Sequence, residues 1–141
     1  MKNTNGLIKE YDYNGNLIFK GEYLNGKRNG KVKEYYSNGK LLFEGEYLNG
    51  IKHSNGKEYY SNGELEFEGE FLNGEKNGKG KEYYFCNLHY NGNYASKLKF
   101  EGEYLNGKRW NGKGYNINGN IDFIINNGNK KGIEYHYDTI L

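Results

Sequence analysis

Phe43–Gly50 reads FEGEYLNG, and close copies stand at Phe19–Gly26 (FKGEYLNG), Phe67–Gly74 (FEGEFLNG) and Phe100–Gly107 (FEGEYLNG). Glu10, Glu34, Glu58 and Glu82 recur every 24 residues, as do Phe19, Phe43 and Phe67. Phe100 follows Phe67 by 33 residues, which marks a nine-residue insertion within Phe85–Lys97. Self-similarity at a fixed period of this size signals a repeat array in which stacked units share one core. The reading is one repeat domain over residues 1–141 with about five units. The insertion lies near 85–97, and a degenerate unit at 115–137 that lacks the Gly-Glu pair serves as a cap.

Each unit carries two Asn-Gly pairs: Asn38-Gly39 with its copies at 14-15 and 62-63, and Asn49-Gly50 with its copies at 25-26, 73-74 and 106-107. Asn-Gly tolerates positive φ at both central positions, as a tight hairpin turn requires. Short stretches rich in Tyr, Phe and Leu separate the turns. The pattern predicts an all-β fold, an antiparallel meander of tandem hairpins that forms a single elongated, twisted or curled sheet of about ten strands.

A two-residue turn at Asn25-Gly26 places Tyr23 opposite Arg28, Gly21 opposite Gly30 and Phe19 opposite Val32. A turn at Asn38-Gly39 sets Tyr36 against Leu41, Glu34 against Phe43, Lys33 against Glu44 and Lys31 against Glu46. Strand side chains alternate, so one face holds Phe43, Gly45, Tyr47 and Val32, and the other holds Glu44, Glu46, Lys31 and Lys33. Opposite charges facing each other across strands contribute roughly 0.2–1 kcal/mol per pair. Gly21, Gly45, Gly69 and Gly102 leave slots in which rings can lie flat, so a groove is expected on the aromatic face. Glu10, Glu34, Glu58 and Glu82 fall on that same face. Such a stripe needs solvent, an edge, a basic partner, or a bulge near Lys33–Glu34 that turns it away.

Composition agrees with a small aromatic core. Hydrophobic residues make up 35% of the chain, below the roughly 45–50% of ordinary domains, but aromatics reach 17%, with 16 Tyr, and there are 22 Gly and no Pro. Net charge is +2, too balanced to point to nucleic acid. One cysteine, Cys86, excludes an internal disulfide. The opening residues hold no apolar run of signal-peptide length and no stretch is long enough for a membrane span, so a cytoplasmic protein is expected.

The stretch FEGEFLNGEKNGKG, with Phe67, Gly69, Phe71, Asn73, Gly74, Lys76, Gly78 and Gly80 in order, resembles the MORN repeat (membrane occupation and recognition nexus). The segment KEYYSNGKL at Lys33–Leu41 is closer to the variant found in bacterial antitoxin components. The resemblance implies a hairpin array that works as a scaffold for protein association or for contact with anionic lipid. The chain departs from the pattern at Gly30-Lys31-Val32 and Ser54-Asn55-Gly56, at Trp110 and in the insertion.

Little in the sequence suggests chemistry. Cys86 and His89 supply two potential metal ligands where a structural zinc needs four. The pair Glu44 and Glu46 recurs in the regular units, whereas a catalytic pair needs unequal environments. The expectation is a non-enzyme with no cofactor and no metal. Partner binding is assigned to Tyr35, Tyr59 and Tyr83, to Phe85, Tyr90 and Tyr94 in and beside the insertion, and to Trp110, because Tyr and Trp favour interfaces. The rival reading is peripheral binding to anionic phospholipid through a basic turn edge of Lys27, Arg28, Lys52, Lys76, Lys108 and Arg109. A homodimer through the aromatic face or the open sheet edges is a further expectation.

Overall fold

Asn25, Asn49, Asn73, Asn106 and Asn127 all have φ between 48° and 51°, and each is followed by a glycine of positive φ. These are the two-residue turns that the Asn-Gly pairs predict. The computed structural model describes residues 4–85 and 97–133. Among the described residues there are eleven strands: β1 Gly6–Tyr11, β2 Leu17–Leu24, β3 Lys27–Tyr35, β4 Leu41–Leu48, β5 Ile51–Tyr59, β6 Leu65–Leu72, β7 Glu75–Tyr83, β8 Leu98–Leu105, β9 Lys108–Tyr115, β10 Ile121–Asn126 and β11 Asn129–Gly132. They form one antiparallel meander in chain order, open at β1 and β11 rather than closed into a barrel.

The second set of turns differs from expectation. Gly39 N–H donates to the Tyr36 carbonyl at 2.9 Å, Tyr36 N–H donates to the Lys40 carbonyl at 2.8 Å, and only Gly39 has positive φ. This is a three-residue connection with glycine in the left-handed position. It shifts the register by one, so Leu41 faces Tyr35 rather than Tyr36, while Glu34 faces Phe43 and Lys33 faces Glu44 as expected.

The Asn-Gly hairpins carry a larger correction. Tyr23 does face Arg28, but Gly21 faces Val32 rather than Gly30, and Phe19 faces Glu34 rather than Val32. Two extra residues of β3 bulge out between these pairs, and β5 and β7 repeat the bulge. Gly30 (φ 97°), Ser54 (φ 62°) and Gly78 (φ 95°) occupy the same place in it. Left-handed backbone suits glycine and strains serine.

The core is a single file of rings. Phe19, Phe43, Phe67 and Phe100 are buried completely, with at most 1% of their surface exposed. Each Phe packs edge-to-face on the aromatic four residues later, and Phe43 and Phe67 also meet Phe71 and Tyr104 of the next unit at 5.7 and 5.3 Å. Glycine makes room beneath: a Cβ at Gly56 or Gly80 would stand 2.7 Å from the ring of Phe43 or Phe67. Burying a side chain of this size contributes about 1.5–3 kcal/mol.

Candidate functional site

The aromatic face is roofed by its own cations. Arg28 lies 4.0 Å over the Phe19 ring, Lys52 4.2 Å over Phe43, Lys76 4.2 Å over Phe67, Arg109 4.8 Å over Phe100 and Lys130 4.1 Å over Phe123. A cation held over a ring gains about 0.5–2 kcal/mol, more when water is kept away.

The repeated glutamates hold this roof in place. Arg28 bridges Glu34 at 2.9 Å and Glu10 at 3.1 Å, and Arg109 meets Glu82 at 2.5 Å. Tyr23 donates its hydroxyl to Glu10, and Tyr47 donates to Glu34 at 2.6 Å. Phe71 stands where the other units have Tyr and has no hydroxyl to give; Glu58 takes Lys52 at 3.4 Å and Lys76 at 3.6 Å instead. The acidic stripe therefore stays on the aromatic face because it is paired with basic residues and phenols, not because a bulge turns it away. Burial works to raise the Glu82 carboxyl, but Arg109, helped by Tyr104, outweighs it and holds the group below its ordinary 4.5. Burial, then the adjacent carboxylate, pushes the Tyr47 and Tyr104 phenols above the usual tyrosine range.

The groove expected over the rings opens instead on the opposite, charged face. It has a volume of about 1080 Å³ and runs from Leu7 on β1 to Glu103 on β8. Along its floor Lys33, Glu44, Lys57, Glu68, Lys81 and Glu101 face one another in strict alternation, strand by strand. Alternation along each strand puts Leu24, Leu48, Leu72 and Leu105 on this same face beside the Asn-Gly turns, and they are 41–51% exposed. The sequence signal for this exposed apolar row was in plain view, since a leucine precedes the Asn-Gly of all four copies of FEGEYLNG.

The residues assigned to partner binding have separate fates. Tyr35 lines the groove. Tyr59 and Tyr83 donate to Glu44 and Glu68, each at 2.6 Å, and stiffen the groove wall. Burial, then those carboxylates, raises both phenols above the usual range. Phe85 is 47% exposed and meets Tyr60 edge-on at 5.2 Å. Trp110 packs beneath the Asn127-Gly128 turn, where a Cβ on Gly128 would come within 2.9 Å of it. Tyr90 and Tyr94 lie outside the described residues, as do Cys86 and His89. Of the basic edge, Arg28, Lys52, Lys76 and Arg109 fold onto the rings, and Lys27 and Lys108 stay exposed. Among the described residues no group of three or more His, Cys, Asp or Glu could hold a metal.

Two family models match the chain: the MORN repeat variant at residues 4–25 and 28–49, and the MORN repeat at residues 43–64 and 67–85. The chain belongs to the MORN-repeat family. MORN repeats form scaffolds that bind proteins or membranes and are generally non-enzymatic. No curated protein matches this chain.

Proposed function

We propose that this MORN array is a non-catalytic scaffold that holds an extended segment of a partner protein in its charged groove. The observation that carries the reading is the groove itself, with a floor of alternating Lys and Glu, on a face that also exposes four leucines beside the Asn-Gly turns. A mixed-charge floor suits a polypeptide, which can place either sign and an apolar side chain at each step, and its balanced charges give a uniform polyanion no net attraction. An antitoxin- or immunity-like role is one concrete form of this function, and it stands on the resemblance of Lys33–Leu41 alone.

The test is an array of short peptides of varied charge pattern and apolar content. It is probed with the wild-type protein, with a Leu48→Asp/Leu72→Asp variant and with a Lys27→Glu/Lys108→Glu variant. Peptides retained by the wild type and by the lysine variant, and lost by the leucine variant, are expected. Retention of no peptide, together with binding to phosphatidylserine vesicles that the lysine variant abolishes, would replace this reading with the membrane one.

A further inference from the structure

The charge alternation on the groove floor breaks at one end. Lys9 faces Lys20, and Lys20 faces Lys33. Lys20 stands in the slot that Glu44, Glu68 and Glu101 fill in the other units. Like charges directly opposite across strands destabilise a sheet, and among the described residues none of these three exposed lysines has an ion pair. The same substitution strips Tyr35 of its acceptor. Tyr59 and Tyr83 each bond the carboxylate in that slot at 2.6 Å, whereas the Tyr35 hydroxyl makes no hydrogen bond among the described residues. One residue exchange thus leaves Lys9 and Lys20 with no carboxylate opposite, Lys33 with Glu44 alone, and a phenol without an acceptor; Lys20, Lys33 and Tyr35 line the β1–β3 end of the groove, and Lys9 stands beside it on β1. The nearest carboxylates compensate only in part: Glu22 faces Leu7, and Glu44, which faces Lys33 without an ion pair among the described residues, also accepts from Tyr59.

We propose that Lys9, Lys20, Lys33 and the Tyr35 hydroxyl receive an acidic stretch of the docked polypeptide, and so fix which way it lies in the groove. This rests on the groove reading above. Strands about 4.8 Å apart place the three ammonium groups over roughly 10 Å, and an extended peptide presents every second side chain at about 6.6–6.8 Å. Two acids spaced i, i+2 span the lysine row, and the next side chain on that face arrives near Glu44, where a base is favoured. The occupant therefore carries an acid-x-acid-x-base pattern. A polypeptide fits better than an anionic bilayer because Lys20, Lys33 and Tyr35 line a groove, which a narrow chain can enter and a broad surface cannot.

The test uses a fluorescein-labelled peptide of sequence Glu-Thr-Glu-Thr-Lys-Thr-Glu and its charge-inverted counterpart, titrated by anisotropy at low ionic strength. Lys20→Glu restores the residue that the other units carry, so the fold is kept and its melting temperature should rise as the like-charge contacts become pairs. The same change should weaken binding of the acidic-led peptide about tenfold and leave the charge-inverted peptide no weaker. Stability and affinity moving in opposite directions is a result that a purely structural role would not give. Equal binding of the acidic-led peptide by wild type and Lys20→Glu would overturn the assignment of this end and leave the groove reading standing. Failure of the wild type to bind either peptide, with phosphatidylserine vesicles retained, would overturn both.

Discussion

The two faces of this one sheet solve opposite problems with the same alphabet. On the aromatic face, Arg28, Glu34 and Tyr47 close on one another above the rings, and few polar atoms are left to spend. On the charged face, Lys81 and Glu101 approach only to 4.0 Å and remain nearly half exposed. The first face carries the stability and the second stays available. Charge by itself does not distinguish the two faces; how closely the basic and acidic side chains pair does.

The comparison can be broken at several depths. Phe67→Ala, in the middle of the file of rings, should cost about 3–5 kcal/mol in urea denaturation, because a fully buried ring leaves a cavity that the sheet cannot refill. A loss below about 1 kcal/mol would mean that the rings are not the core. Glu34→Ala strands Arg28 and the Tyr47 hydroxyl over the rings and should cost about 1–3 kcal/mol. Ser54→Gly relaxes the left-handed serine at the bulge and should stabilise by about 1 kcal/mol, read as a higher melting temperature.

Acid sharpens the contrast further. The folded Glu82 carboxyl is held below its ordinary 4.5, so the unfolded chain takes up the proton first. The stability that Glu82 supplies is whole above 4.5 and drains away as pH falls through the folded value. Glu82→Gln should flatten that limb of the stability curve. The smallest effect belongs to the groove: Lys57→Ala should change stability by no more than about 0.5 kcal/mol, and a larger loss would show that the floor is structural.

The turns at Asn25, Asn49, Asn73 and Asn106, the alternation and the pairing of Lys33 with Glu44 were legible because each depends on a few neighbouring residues. The bulge was not, since Gly30 and Gly78 look like any glycine until their φ is known, and Ser54 disguises the third copy. Without the bulge, the partners of Phe19 and Gly21 come out two residues wrong. The side on which the groove opens was illegible for a related reason, because curvature sums small twists and bulges over many strands. Lys52 and Lys76 read as an edge because nothing local says that a lysine will fold back over a ring; the absent hydroxyl at Phe71 was the available hint. The meaning of Lys20 needed the register, because three lysines at positions 9, 20 and 33 look unrelated in one dimension.

The tip of each Asn-Gly turn is held by the unit before it. Gly50 N–H reaches the Arg28 carbonyl at 2.8 Å, Gly74 reaches Lys52 at 3.1 Å and Gly107 reaches Lys76 at 2.9 Å. Each step of the array thus needs only its predecessor, and the structure sets no natural total. Inserting or deleting a whole 24-residue unit would change the groove by two strand spacings, about 9.6 Å, and leave every remaining joint intact. The protein is in effect a ruler, graduated in steps of about three residues of extended chain.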